Sequence, residues 1–190
     1  MKKITSVLII FLFVPLVSYA HGSYGGDFIA GFTHPIFGID HNIAIIGTAL
    51  LGYLLDKKKW YLFSLSFLTL MIVGGIVGIG QDDADMIETI IVISSIAIGL
   101  KMTVDIHLNK SIILGLIAVI GFFHGYAHGV EMPAETAAFK YISGFSVAVV
   151  LMSLIAWLIS RWLARHSISR VVYKFIGGIM IAYGIIMLIS

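Results

Sequence analysis

Six stretches of apolar sequence follow one another along this chain, each about as long as a lipid bilayer is thick. The runs fall at residues 35–55, 60–79, 86–104, 111–130, 137–160 and 171–189. A helix needs about 20 such residues to cross the hydrocarbon core. All six are expected to be helices, because in lipid the backbone N–H and C=O groups must be satisfied within the segment. The connections, at 56–59, 80–85, 105–110, 131–136 and 161–170, are short and polar, and no linker or low-complexity tract interrupts the series. The pattern predicts an all-α membrane protein: a six-transmembrane-helix bundle, one domain over residues 21–190.

A shorter apolar run precedes these six. Lys2 and Lys3 are followed by an apolar stretch over 4–17, broken only by Thr5, Ser6 and Pro15, and then by Ser18, Tyr19 and Ala20. A positive start, a short apolar core and small residues at the −3 and −1 positions are the pattern of a secretory signal peptide. Residues 1–20 are therefore expected to be cleaved after Ala20, leaving His21 as the first residue on the outer side. Two lysines with no organelle-type arginines point to a bacterial inner (cytoplasmic) membrane.

Charge tests the topology. The chain is 59% hydrophobic and 12% charged, where a soluble domain carries about a quarter charged residues. With the mature N-terminus outside, six crossings also leave the C-terminus outside. The inner loops and inner helix ends then hold Lys57, Lys58, Lys59, Lys101, Lys110, Arg161, Arg165, Arg170 and Lys174, and the outer side holds only Lys140. That is the asymmetry of the positive-inside rule. The acids lean the other way: Asp27, Asp82, Asp83, Asp85, Glu88, Glu131 and Glu135 all fall near the outer face. A net charge of +2 gives no reason to expect a nucleic-acid partner. The expected partners are the bilayer and a small cation, and self-association into a homo-oligomer stays open.

Two polar clusters break the lipid-like sequence: HPIFGIDHN at 34–42 and HGYAHGVE at 124–131. Ionisable residues inside a membrane are costly and usually functional. The chain has no cysteine, so metal chemistry here rests on imidazole, carboxylate, thioether or backbone groups. That donor set suits nickel, cobalt, zinc or copper(II). His124 and His128 are i and i+4, about 6 Å apart along one helix face, a spacing that lets two imidazoles share an ion. Glu131 continues the same stripe. His41 lies about 21 Å above its inner helix end and His124 about 20 Å above its own, so the two clusters reach the same depth in the outer half of the bilayer. His34 and His41 stand about 10 Å apart along a straight helix and share an ion only if the helix breaks between them. Pro35 and Gly38 supply residues for such a break. Otherwise His34 caps the entrance, and Asp40 either binds the ion or orients His41. The candidate metal residues are His34, Asp40, His41, His124, His128 and Glu131. His21 is a secondary candidate, because a free α-amine beside an imidazole closes a chelate ring. The rows Gly74 and Gly78, Gly121, Gly125 and Gly129, and Gly177 with Gly178, predict close helix packing.

These motifs, HPIFGIDH from His34 and FHGYAHGVE from Phe123, resemble those of the HupE/UreJ family of nickel and cobalt permeases, and the likeness extends over the signal peptide, the six helices and the motif placement. The resemblance implies a metal-handling role for His34, Asp40, His41, His124, His128 and Glu131. It also implies passage of Ni²⁺ or Co²⁺ toward assembly of hydrogenase, urease or cobalamin. Zn²⁺ and Cu²⁺ rank behind these two, and no permanent cofactor is expected.

The leading expectation is a secondary transporter. No GxxxxGK[ST] phosphate loop is present, so ATP is not used within the chain. A dication entering a negative interior gains about 4.6 kcal/mol per 100 mV, enough for roughly a thousandfold accumulation. Two other classes fit the same residues. One is an intramembrane metal-dependent enzyme with Glu131 or Asp40 as general base, although the HExxH order of zinc peptidases is missing. The other is a metal-sensing or accessory membrane subunit.

Overall fold

The computed structural model describes residues 26–82 and 84–189. The signal-peptide segment and the N-terminal chelate at His21 lie outside the described residues. Among the described residues seven helices follow in order: α1 (Gly26–Phe37), α2 (Ile39–Leu55), α3 (Tyr61–Gly78), α4 (Ala84–Thr103), α5 (Lys110–Val130), α6 (Ala138–Leu163) and α7 (Ser169–Ile189). No strand occurs among the described residues. The helices α3 to α7 are each long and apolar enough to cross a membrane. The bent pair of α1 and α2, which meet at 75°, is long and apolar enough when the two are taken together.

That bend corrects the first span. An apolar run over 35–55 reads as one helix, but the chain is helical from Gly26 and breaks at Gly38. Pro35 has no N–H to donate, and Gly38 takes an extended ψ of 107°. The break leaves carbonyls at the end of α1 without helical partners. Asn42 meets one of them, its Nδ2 donating to the Ile36 carbonyl at 3.0 Å and tying the two halves together. At the far end of α1, Asp27 favours the positive helix start and pairs with Lys140 at 3.6 Å.

Glycines set the packing. The helices α3 and α5 run in the same direction, in the broadest helix contact of the bundle. A Cβ at Gly74 would strike the Phe122 carbonyl, one at Gly121 the Phe67 carbonyl, one at Gly125 the Met71 carbonyl and one at Gly129 the Gly75 carbonyl. With no side chain at these positions the two backbones touch directly. The antiparallel pair α4 and α7 closes through Gly99 and Gly177, where a Cβ would lie 2.6–2.7 Å from the facing carbonyl. Gly178 differs from the expectation, since nothing lies within 4 Å of its would-be Cβ. The helix α2 runs through the middle, against α3, α4 and α6, and carries buried Ala44, Ile45, Ala49, Leu50 and Leu51.

The exterior is apolar and part of the interior is polar, the reverse of a soluble protein. Ile76, Leu116, Val119, Leu158 and Phe175 are exposed, whereas His41, His124 and His128 are buried. Large exposed apolar surface of this kind is covered by lipid. At the basic end Trp60 stacks on Trp157 at 5.4 Å, Arg161 lies 5.0 Å over Trp157, and Trp162 packs 4.6 Å from His166. All three tryptophans therefore sit at one membrane boundary, as in an interfacial aromatic belt. Ion pairs stitch the loops there: Asp56 to Lys110 at 3.1 Å and Asp105 to Arg170 at 2.8 Å. The Lys110 ammonium, with the Lys59 N–H, holds the Asp56 carboxyl below its ordinary pKa, and Arg170 does the same for Asp105. Carboxyls depressed in this way stabilise the fold above the usual carboxylate range. That contribution is lost as pH falls through the lowered values.

Candidate metal centre

Two helix ends meet at the acidic face. The break at Gly38 swings His34, in the last turn of α1, toward His41, in the first turn of α2, so that their rings stand 5.6 Å apart. From α5 comes His128, whose ring lies 4.4 Å from that of His41 and 4.7 Å from that of His34. Glu131, the first residue past α5, puts Oε2 2.7 Å from His34 Nε2. One ligand atom from each of His34, His41, His128 and Glu131 lies within 4.8 Å of all the others. Ligands at about 2.1 Å around one tetrahedral ion stand about 3.4 Å apart. The four would therefore close on an ion by movements of an ångström or so, within reach of side-chain rotation.

Burial divides the four into two layers. His34 and Glu131 are 30% and 31% exposed and form the mouth. His41 and His128 are 3% and 0% exposed. Neither ring nitrogen of either buried histidine has a hydrogen-bond partner among the described residues. Leaving a buried polar atom unsatisfied costs about 1–3 kcal/mol. The arrangement is stabilised by anything that accepts several imidazole lone pairs at once, and a divalent cation does so.

Asp40 and His124 take different places. Asp40 Oδ1 lies 3.0 Å from His41 Nδ1, an ion-pair contact whose N–H is out of line for a hydrogen bond. It can orient the ring and leave Nε2 toward the cluster, the common arrangement behind a metal-bound histidine. A Cβ on Gly38 would stand 3.3 Å from Asp40 Oδ1 and 3.4 Å from His41 Nδ1, so the glycine keeps this contact open. His124 lies a helical turn deeper than His128, its ring 5.5 Å from that of His41. Its Nδ1 is 2.9 Å from the Ile120 carbonyl, so Nδ1 carries the proton and the buried Nε2 keeps its lone pair. His124 is not one of the four residues within mutual ligand distance. The i, i+4 pair thus shares a face without sharing the same position in the site.

Aromatic rings complete the walls. Phe145 stacks on His128 at 5.1 Å, and Phe67 lies 5.3 Å from His124. Tyr141, 6.4 Å from His34 and 6.5 Å from His128, is buried with its hydroxyl unpartnered among the described residues. A tyrosine near the outer end of an apolar run reads as an interfacial anchor, so its sequence position gave no sign of this place beside the histidines.

Comparison with known proteins agrees with the sequence motifs. The family described as HupE / UreJ protein matches residues 9–187 of this chain. A curated relative, Protein HupE of Rhizobium leguminosarum bv. viciae, is 29% identical over 152 residues, covering 80% of this chain and 79% of that protein. No solved structure matches the chain.

Proposed function

This chain belongs to the HupE/UreJ family, and on that premise we propose that it carries a divalent transition-metal ion, nickel or cobalt, inward through the histidine cluster. The observation that carries the proposal is the convergence of His34, His41, His128 and Glu131 within 4.8 Å of one another, two of them fully enclosed, at one end of an apolar bundle. Three imidazoles and a carboxylate form a donor set for borderline dications. Charge supports the same reading. A dication in a low-dielectric interior is unstable unless paired, and Asp40 with Glu131 supplies two negative charges against its two positive ones.

The layers give the path a direction. Glu131 and His34 receive the ion at the exposed mouth, where Oε2 and Nε2 stand 2.7 Å apart. His41 and His128 take it next, and the free Nε2 of His124 is the following step toward the basic end. No hydrolysis is needed, because the membrane potential supplies the drive. The family setting makes a permease the better reading than an enzyme. The acidic end then faces the periplasm and the protein resides in the bacterial inner membrane. Purified protein in liposomes holding a negative internal potential should accumulate Ni²⁺ or Co²⁺ without ATP or a partner, and excess of one ion should compete with the other. Failure of both ions to enter would overturn transport.

Tyr141→Phe tests the wall of the site beside His34 and His128. Removing a buried, unpartnered hydroxyl relieves about 1–3 kcal/mol of desolvation, so the metal-free protein should melt higher than wild type. Metal binding should weaken about tenfold, the usual scale for groups that act through a ligand or its bound water. Titration of Ni²⁺ or Co²⁺ into both proteins measures this, and unchanged affinity would exclude Tyr141 from the site.

A further inference from the structure

A second open space lies at the opposite end of the bundle. A cavity of about 410 Å³ opens where α2 and α4 end and α7 begins. Its lining carries four cations, Lys57, Lys101, Arg170 and Lys174, and one carboxylate, Asp105. That carboxylate is already engaged, by Arg170 at 2.8 and 3.0 Å and by Lys174 at 4.0 Å. Asp56, the nearest acid on the loop after α2, is engaged by Lys110. Among the described residues, no carboxylate lies within ion-pair distance of Lys57 or Lys101.

The backbone adds to this field. Ser169 and Arg170 line the cavity and open α7, a 21-residue helix. In that first turn the Ser169 N–H is taken by the His166 carbonyl and the Val172 N–H by the Ile168 carbonyl, and the helix end as a whole still presents about half a positive charge. The carbonyl ends of α2 and α4 also face this region and carry partial negative charge, but four side-chain cations against one engaged acid leave the lining positive, which favours an anion over a dication.

We propose that the cavity is a binding site for a phosphate group. Ammonium and guanidinium groups converging beside a helix N-terminus are what phosphate oxygens require, and the volume lies in the range of small-ligand sites. Such a phosphate comes free from solution or from the headgroup of an anionic phospholipid, and basic pockets between transmembrane helices take such headgroups. The wall bears on the source. Leu54 lines the cavity and is also exposed on the apolar exterior, and Val171 and Phe175 are exposed beside it on α7. A headgroup in the cavity would have its acyl chains against that surface. The proposal holds whether or not the histidine cluster carries metal.

The test uses the full chain purified in an uncharged detergent, with melting temperature followed against added phosphatidylglycerol, phosphatidylcholine or inorganic phosphate. Phosphatidylglycerol should raise the melting temperature and phosphatidylcholine should not. The half-saturating concentration should rise about fivefold for Lys57→Gln or Lys101→Gln alone, and about 25-fold for both, from the worth of one lysine beside an anionic headgroup. Lys58→Gln with Lys59→Gln, on the same loop but outside the cavity, should change nothing. Should the double variant fail to fold, the single variants carry the test. An equal shift with inorganic phosphate identifies free phosphate as the occupant, and no shift with it identifies the lipid. The proposal falls if phosphatidylcholine matches phosphatidylglycerol, if neither anion shifts the melting temperature, or if the control lysines matter as much as the cavity lysines.

Discussion

Replacing His128 by alanine is expected to abolish metal uptake while leaving a protein that still inserts and folds. His128 is the hub of the cluster: its ring is 4.4 Å from His41 and 4.7 Å from His34, and one of its nitrogens lies with Glu131 inside the group of four. Without it, His34, His41 and Glu131 still converge, but the site loses one of its two buried ligands and keeps three of its four. Changes behind a metal ligand cost about 10–100-fold in affinity, so loss of a central ligand should cost at least about a hundredfold. The fold should survive because two effects oppose each other. Truncation gives up the ring contact with Phe145. It also removes two buried nitrogens that have no hydrogen-bond partner among the described residues, each worth about 1–3 kcal/mol of penalty. Uptake into liposomes and melting in detergent measure the two halves separately. Wild-type uptake by the inserted variant would remove His128 from the site. His124→Ala should cost less in equilibrium binding than His128→Ala and show its effect mainly in transport rate, since His124 stands beyond the four converging residues and next on the inward path.

How much of this was legible in the sequence follows from what each feature depends on. Lipid imposes long apolar runs and internally satisfied backbones, so α3 to α7 begin and end within a few residues of their runs. Their packing was legible too, because small residues four apart mark where helix backbones meet, as Gly121, Gly125 and Gly129 do. The helix α1 was not, because its 12 residues are too few for a span. It is held by tertiary contacts: a Cβ at Gly31 would strike the Tyr141 carbonyl, and one at Gly144 the Phe28 carbonyl. Pro35 and Gly38 showed that a break was available, whereas its 75° angle depends on how α1 lies against α6. The histidines were legible as a set because charge-bearing side chains are rare in lipid. Their separate places were not. Sequence spacing puts His124 and His128 on one face, but only the Ile120 carbonyl fixes which nitrogen of His124 is free.

Gly125→Ala should be the most damaging single methyl group in the protein. Its Cβ would overlap the Met71 carbonyl, with the Met71 carbonyl carbon and Cα crowded behind it. Those are backbone atoms in the middle of α3, with no rotamer to change, so relief requires the two helices to part. Overpacking costs about 1–3 kcal/mol even where side chains can give way, and more where they cannot. The interface admits no local escape, since Gly74, Gly78, Gly121 and Gly129 make the same kind of contact above and below. At about 2–4 °C per kcal/mol for a chain of this size, the melting temperature should fall by roughly 10 °C or more. Gly178→Ala adds the same methyl group where nothing lies within 4 Å. Alanine is favoured over glycine within a helix by about 1 kcal/mol, so that variant should melt at or slightly above wild type. The pair separates close packing from helix propensity, because propensity alone predicts stabilisation at both sites. Function should follow packing: Gly125 lies between His124 and His128, and a helix α5 displaced from α3 carries both rings away from His41 on α2. Metal affinity should therefore fall in Gly125→Ala and stay unchanged in Gly178→Ala. A Gly125→Ala protein that melted with wild type and bound metal normally would show that the α3–α5 contact does not hold the histidines in place.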